Sequence, residues 1–151
     1  MSKSVIVDLD GTLANIDHRV HLVRREKPDW DAFYAACDKD TPNEWCVELI
    51  RAFIRVGAPV VIVSARRQEE EKKTREWLSR MFEIILPGPK LRLLRGPGNH
   101  EPDTVLKKRW LDSFGRENIL FVVDDRQKVV DMWRAEGLTC LQCAAWEEYK
   151  K

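Results

Sequence analysis

Eight residues near the N-terminus constrain this chain most: Val5-Ile6-Val7-Asp8-Leu9-Asp10-Gly11-Thr12. The β-branched run and Leu9 read as a strand that is apolar on both faces, so it must be buried on both. Gly11 ends it where the backbone turns sharply. The two carboxylates set at the end of such a strand are costly to keep there without a cation. A hard cation with oxygen ligands, most simply Mg²⁺, relieves that repulsion. The stretch is therefore the first sign of a phosphate-handling site.

The remaining chain supplies a sheet around that strand. Residues 16–25 form a short helical stretch, with Ile16, Val20 and Val23 at helical spacing. Asp29 caps a second helix carrying Trp30, Phe33, Tyr34 and Cys37 at positions i, i+3, i+4 and i+7, and Asp38-Lys39-Asp40 is a polar link. Thr41, Pro42 and Glu44 fit N-cap, N1 and N3 of a third helix, closed by Gly57. Residues 59–64 are a second buried strand, and 67–82 a charged helix with a stripe of Trp77, Leu78, Met81 and Phe82. Either 84–86 or 91–94 supplies a third strand, and 95–101 is a loop. A helix from Pro102 buries Leu106, Trp110 and Leu111. Residues 119–123 are a further buried strand, and a helix with Val129, Val130 and Trp133 ends at Gly137. Residues 138–141 are a last short strand. This alternation predicts an α/β fold with a parallel sheet and helices on both faces.

At 151 residues the chain is expected to be one domain, 1–151, with a substantial core. A net charge of +1 gives no support to a nucleic-acid binder by itself. The N-terminus lacks an apolar signal core, and no apolar run is long enough to span a bilayer, so a cytoplasmic protein without membrane partners is expected. Cys37, Cys46, Cys140 and Cys143 are expected to be reduced and packed. The Cys140–Cys143 pair falls in a strand, where positions three apart face opposite sides, which argues against a metal site.

In a parallel sheet the strand C-termini share one edge, where ligands bind. Three strands deliver reactive types there: Asp8 and Asp10, Ser64 with Arg66, and Asp124 with Asp125. A lone acid at a strand end is usually a cap. Two buried strands each ending in paired acids point to a site.

VDLDGT, VIVS, a helical lysine and VVDD resemble, in order, the four motifs of the haloacid dehalogenase (HAD) phosphohydrolases. The resemblance implies a HAD-like Rossmannoid core at about 1–14 and 41–151, with a small helical cap inserted after the first strand at about 15–40. It implies Asp8 as the nucleophile that becomes an aspartyl-phosphate, Asp10 as the general acid/base, and Lys107 orienting Asp8. Ser64 and Thr12 would meet the phosphate. Asp8, the Asp10 carbonyl, Asp124 and, less directly, Asp125 would hold Mg²⁺. Paired acids and a cation suit this chemistry, because a phosphate dianion repels an anionic nucleophile until it is neutralised.

A narrower resemblance is to the 3′-phosphatase domain of phage-type polynucleotide kinase/phosphatase. It rests on Arg19 downstream of DxDGT, Ser64-Ala65-Arg66 in place of S-G-R, Asp103-x-x-x-Lys107, and the stretch from Asp124 through Val129, Val130 and Trp133 to Gly137. It implies that Arg19 and Arg66 contribute to the phosphatase site and that Asp103 positions Lys107 or Arg66. There is no P-loop motif, so this chain carries no kinase of that type. The expected activity is a Mg²⁺-dependent phosphomonoesterase acting on 3′-phosphate ends of DNA or RNA, or on 3′-nucleotides. The alternative is a nucleotidase or other small-molecule HAD phosphatase. A non-catalytic receiver-like binder would lack Asp10. The aromatics Trp30, Phe33 and Tyr34 are expected as core of the cap rather than a base platform. The oligomeric state is left open, a homodimer included.

Overall fold

Val5 and Val7 of the first strand pack on one side of the sheet and Ile6 on the other, and that alternation sorts the helices into two layers. The structure, a computed structural model, describes residues 2–82 and 88–145. The strands are β1 (Ser4–Val7), β2 (Ala14–Asn15), β3 (Thr41–Pro42), β4 (Val60–Arg67), β5 (Lys90–Arg95), β6 (Ile119–Asp124) and β7 (Cys140–Gln142). The helices are α1 (Asp17–Val20), α2 (Trp30–Ala35), α3 (Glu44–Arg55), α4 (Glu71–Phe82), α5 (Asp103–Phe114) and α6 (Gln127–Ala135).

Five strands form one parallel sheet in the order β5-β4-β1-β6-β7. β1 lies at its centre, with Val7 registered against Ile62 on one side and Val123 on the other. Val5 and Val7 share a core with Val47 and Ile50 of α3 and Trp77 and Leu78 of α4. Ile6 shares the opposite core with Leu111 of α5 and Val129, Val130 and Trp133 of α6. The chain leaves β1 for β4 on one side and later returns to β6 on the other. The C-terminal end of β1 is thus the switch point where such sheets bind ligands.

Several boundaries differ from the sequence expectation. α3 starts at Glu44 with Asn43 at its N-cap, not Thr41. Thr41 and Pro42 instead pair antiparallel with Asn15 and Ala14. Asn43 pins that turn: its backbone N–H donates to the Leu13 carbonyl and its side chain to the Thr12 carbonyl, at 2.8 and 2.7 Å. A proline, with no N–H to offer, is tolerated in such a two-stranded edge. The helix expected over 16–25 is only Asp17–Val20, continued by i→i+3 turns. β4 runs on to Arg67, because Arg67 still registers against Arg95 of β5 across a bulge. β5 corresponds to the 91–94 alternative, whereas 84–86 lies outside the described residues. Asp29 caps α2 as expected, accepting the Ala32 N–H at 2.9 Å. All four cysteines are free.

The loop after β1 folds back on itself. Leu9 carbonyl accepts the N–H groups of Thr12 and Ala14, and Gly11 donates to Ala14. Gly11 sits at φ +87°, where a side chain is strained. Gly11→Ala is therefore expected to cost about 1–2 kcal/mol, read by urea unfolding, and to move Asp10 relative to Asp8, read as a fall in kcat.

Candidate active site

Asp8 follows β1, Asp124 closes β6, and Asp125 comes next; all three carboxylates are buried. One oxygen from each lies within 4.8 Å of the others. Lys107, from the second turn of α5, is 3% exposed and donates to Asp8 Oδ1 at 2.7 Å and to Asp124 Oδ2 at 2.8 Å. It is not a solvated helix lysine. Trp133 Nε1 donates to Asp124 Oδ2 at 3.1 Å, and the Asp125 backbone N–H to Asp124 Oδ1 at 2.8 Å. Thr12 Oγ1 stands between Asp8 Oδ2 and Asp125 Oδ1, at 3.3 and 3.2 Å.

A second cluster adjoins the first through Asp10. Its Oδ1 accepts Arg19 Nη2 at 2.7 Å and also Arg66 Nη2. Both arginines are buried. Behind them lies Asp40, which the sequence assigns to a polar link. Its side chain is fully buried, and its two oxygens accept Arg19 Nε and Nη2, each at 2.7 Å, and Arg66 Nη2 at 3.4 Å. His18 Nε2 reaches Asp40 Oδ1 at 2.6 Å. Arg66 Nη1 donates to Thr74 of α4 at 2.9 Å, while Arg66 Nε is buried with no hydrogen-bond partner among the described residues. An orphaned guanidinium donor of this kind is suited to an incoming anion oxygen.

Ser64, also buried, accepts the Arg66 N–H at 3.1 Å, and its own hydroxyl hydrogen is uncommitted among the described residues. Ala65 contributes its carbonyl, which accepts Arg95 Nε at 3.1 Å. Asp103 departs from expectation: it pairs with neither Lys107 nor Arg66. Its carboxylate is shared between Arg95 at 2.8 Å and Arg126 at 2.6 Å. Helical spacing does put Asp103 and Lys107 on one face, but α5's first turn meets the end of β5, which carries Arg95. That arginine, missed in the sequence, also donates to the Asn99 and Glu101 carbonyls and so shapes the segment before α5.

The charges of the cluster are unevenly matched. Burial and the neighbouring Asp124 push the Asp8 carboxyl up to about 6, although Lys107 pulls against them. Burial and Asp8 push Asp125 up still further. Burial would lower Lys107, but Asp124 and Asp8 override it and hold the ammonium charged. Burial would raise Asp10, but Arg66 and Arg19 outweigh it and hold its carboxyl at about 2. Five carboxylates (Asp8, Asp10, Asp40, Asp124, Asp125) face three cations (Arg19, Arg66, Lys107) in this cluster. One divalent cation balances that difference. The all-oxygen donors of Asp8, Asp124 and Asp125 could hold such a metal.

The polynucleotide kinase PNKP phosphatase domain family model matches residues 2–147. A chain in the structure of the Pnkp1/Rnl/Hen1 RNA repair complex is 26% identical, with a TM-score of 0.77 over 95% of this chain and 43% of that one. A second structure of the Pnkp1/Rnl/Hen1 complex gives 28% identity and a TM-score of 0.74, over 95% and 46%. The chain thus spans less than half the length of these two relatives. CbbY from Rhodobacter sphaeroides, solved with phosphate, shares the fold at 14% identity, with a TM-score of 0.63 over 96% and 87%. No helix among the described residues is long and apolar enough to cross a membrane. With the family model matching nearly the whole chain, over a parallel sheet whose switch point gathers the acids, this chain belongs to the PNKP phosphatase domain family of HAD-like phosphohydrolases.

Proposed function

We propose that this chain is a Mg²⁺-dependent phosphomonoesterase that removes 3′-phosphates from DNA or RNA ends through an aspartyl-phosphate on Asp8. The observation that carries this reading is the pairing of a buried carboxylate, Asp8, with the Lys107 ammonium at 2.7 Å, beside two buried arginines. The nucleic-acid substrate is supported by the family match and by likeness to chains of an RNA repair complex. We take residues 15–40 as a small cap over the crevice. The free cysteines suit a reducing, cytoplasmic setting.

In the first step an Asp8 oxygen attacks phosphorus, and the bond from phosphorus to the 3′-oxygen breaks. The leaving oxygen takes a proton from the Asp10 carboxyl. In the second step Asp10 takes a proton from water, which attacks phosphorus and breaks the bond to Asp8, releasing phosphate. Asp8, Asp124 and Asp125, with the Asp10 carbonyl, would hold Mg²⁺, which would supply positive charge against the phosphate dianion. Lys107 keeps Asp8 oriented and anionic. Ser64 and Thr12 offer hydroxyls to phosphoryl oxygens.

Asp10 needs one change before it can act as an acid. Paired with Arg19 and Arg66 it stays deprotonated, with its carboxyl held at about 2. A phosphate dianion competes for the same two guanidiniums through bidentate contacts. As they turn to the phosphate, the Asp10 carboxyl rises and can carry the proton.

Rates on a 3′-phosphorylated oligonucleotide, a 3′-mononucleotide and a 5′-mononucleotide test the substrate class. The highest kcat/KM is expected on the oligonucleotide, and a preference for the 5′-mononucleotide would make the protein a nucleotidase. EDTA is expected to stop turnover and Mg²⁺ to restore it. Mg²⁺ should also raise the Tm of the wild type, and much less that of Asp124→Asn, by stabilising only the folded state. An unchanged Tm for the wild type would contradict the metal assignment.

A further inference from the structure

Among the aromatics of residues 15–40, Trp30 is the one left uncovered. Phe33 and Tyr34 are buried, whereas Trp30 is 52% exposed. Its ring nevertheless packs against both neighbours. It stands edge-on to Phe33, with centroids 5.6 Å apart and planes at 86°, and tilts against Tyr34 at 6.1 Å and 30°. The sequence expectation that all three form cap core therefore holds for two of them. The third presents a held, open aromatic surface.

That surface adjoins the phosphate-facing cluster. The ring of Phe33 carries the Arg19 guanidinium 4.3 Å from its centroid, and Arg19 in turn holds Asp10. The ring of Tyr34 carries Arg67 at 4.5 Å. Trp30 thus belongs to one aromatic cluster whose other rings carry Arg19, which holds Asp10, and Arg67, which is paired with Asp31 and Glu70. A half-exposed indole beside arginines, next to a site for a phosphate ester, has the makeup of a single-strand stacking platform.

We propose that the open face of Trp30 stacks a nucleobase at the 3′ end of the substrate strand, one of the last two before the phosphate. This rests on the reading of Asp8 as the nucleophile towards nucleic-acid 3′-phosphates, and it adds what recognises the strand. Every base has a π-face, so the subsite tolerates all sequences. It favours a strand end over a free phosphate ester.

Steady-state kinetics on a 3′-phosphorylated oligonucleotide test this. Trp30→Ala raises KM about tenfold, as loss of one base–aromatic stack does, with kcat within about twofold. On the same oligonucleotide with its last two nucleosides made abasic, the KM ratio of variant to wild type falls to about one. Trp30→Phe recovers most of the KM on the base-bearing strand. Equal KM for Trp30→Ala and wild type on that strand would overturn the stacking site. So would an equal loss on the abasic strand, the signature of a merely structural role. Failure of the parent reading looks different: a wild type that hydrolyses p-nitrophenyl phosphate but not the 3′-phosphorylated oligonucleotide removes the substrate and the stacking site together.

Discussion

Asp8→Asn lowers kcat by at least about 10⁴-fold, the scale of losing a covalent nucleophile, and makes the metal-free protein more stable at neutral pH than the wild type. The loss of turnover follows because an amide cannot form the acyl phosphate. The gain follows from linkage. Asp8's carboxyl is raised from 3.8 to about 6, first by burial and then by Asp124. The folded wild type therefore holds that proton more tightly than the unfolded chain does. Its contribution to stability is fully present below about pH 4 and is lost as pH rises through about 6. Asparagine never ionises and escapes that loss, which is on the order of 3 kcal/mol. Urea unfolding of both proteins in EDTA, from about pH 4 to about pH 7, should show the difference shifting in favour of Asp8→Asn and levelling above about pH 6. A difference independent of pH would contradict the electrostatic account. Mg²⁺ should narrow the difference, because the wild type alone regains a ligand for its charge.

The second large effect concerns Asp40, which touches no reacting atom in the proposed chemistry. Its carboxylate is fully buried and accepts Arg19 through both oxygens and Arg66 through one. Arg19 is itself fully buried against the Phe33 ring and carbonyl. Asp40→Ala leaves two buried guanidiniums with Asp10 as their shared carboxylate. Removing one partner of a buried pair costs about 3–5 kcal/mol. Against a total stability of about 5–15 kcal/mol, that leaves a marginal fold. Asp40→Asn, which keeps the shape and one acceptor, is expected to fall between the two and to remain soluble for kinetics. In that variant Arg19 and Arg66 lean harder on Asp10, so the acidic limb of the pH–rate profile should shift as well as kcat. An Asp40→Ala protein within about 0.5 kcal/mol of wild type would show that the arginines do not depend on Asp40.

The contrast between Asp8 and Asp40 shows what could be read from the chain alone. Asp8, Asp10, Asp124 and Asp125 stand out because each pair ends an apolar run, and a parallel sheet forces such ends to one edge. That is a local pattern with a global consequence. Asp40 has no such pattern. Its partners lie 21 and 26 residues away, and Asp38-Lys39-Asp40 reads as a solvated link until the fold buries it. Lys107 stands out only through the family resemblance, since a lysine on a charged helix is by default solvated. Asp103 misled for a related reason: spacing reports the shared face, not what that face meets. At 41–44 the capping signature was sound chemistry, but pairing of Thr41 and Pro42 with β2 won over it and moved the cap to Asn43. Trp30 was legible as a helical-stripe aromatic, but not as the exposed member of its cluster.

One measurement reaches the central claim directly. An oligonucleotide carrying a radiolabelled 3′-phosphate is mixed with excess protein and Mg²⁺, and the reaction is quenched in acid on the way to completion. The account predicts that label passes transiently from the strand end to the peptide containing Asp8 before it appears as free phosphate. Free phosphate formed at full rate with no label on the protein at any time, or label on a residue other than Asp8, would contradict it.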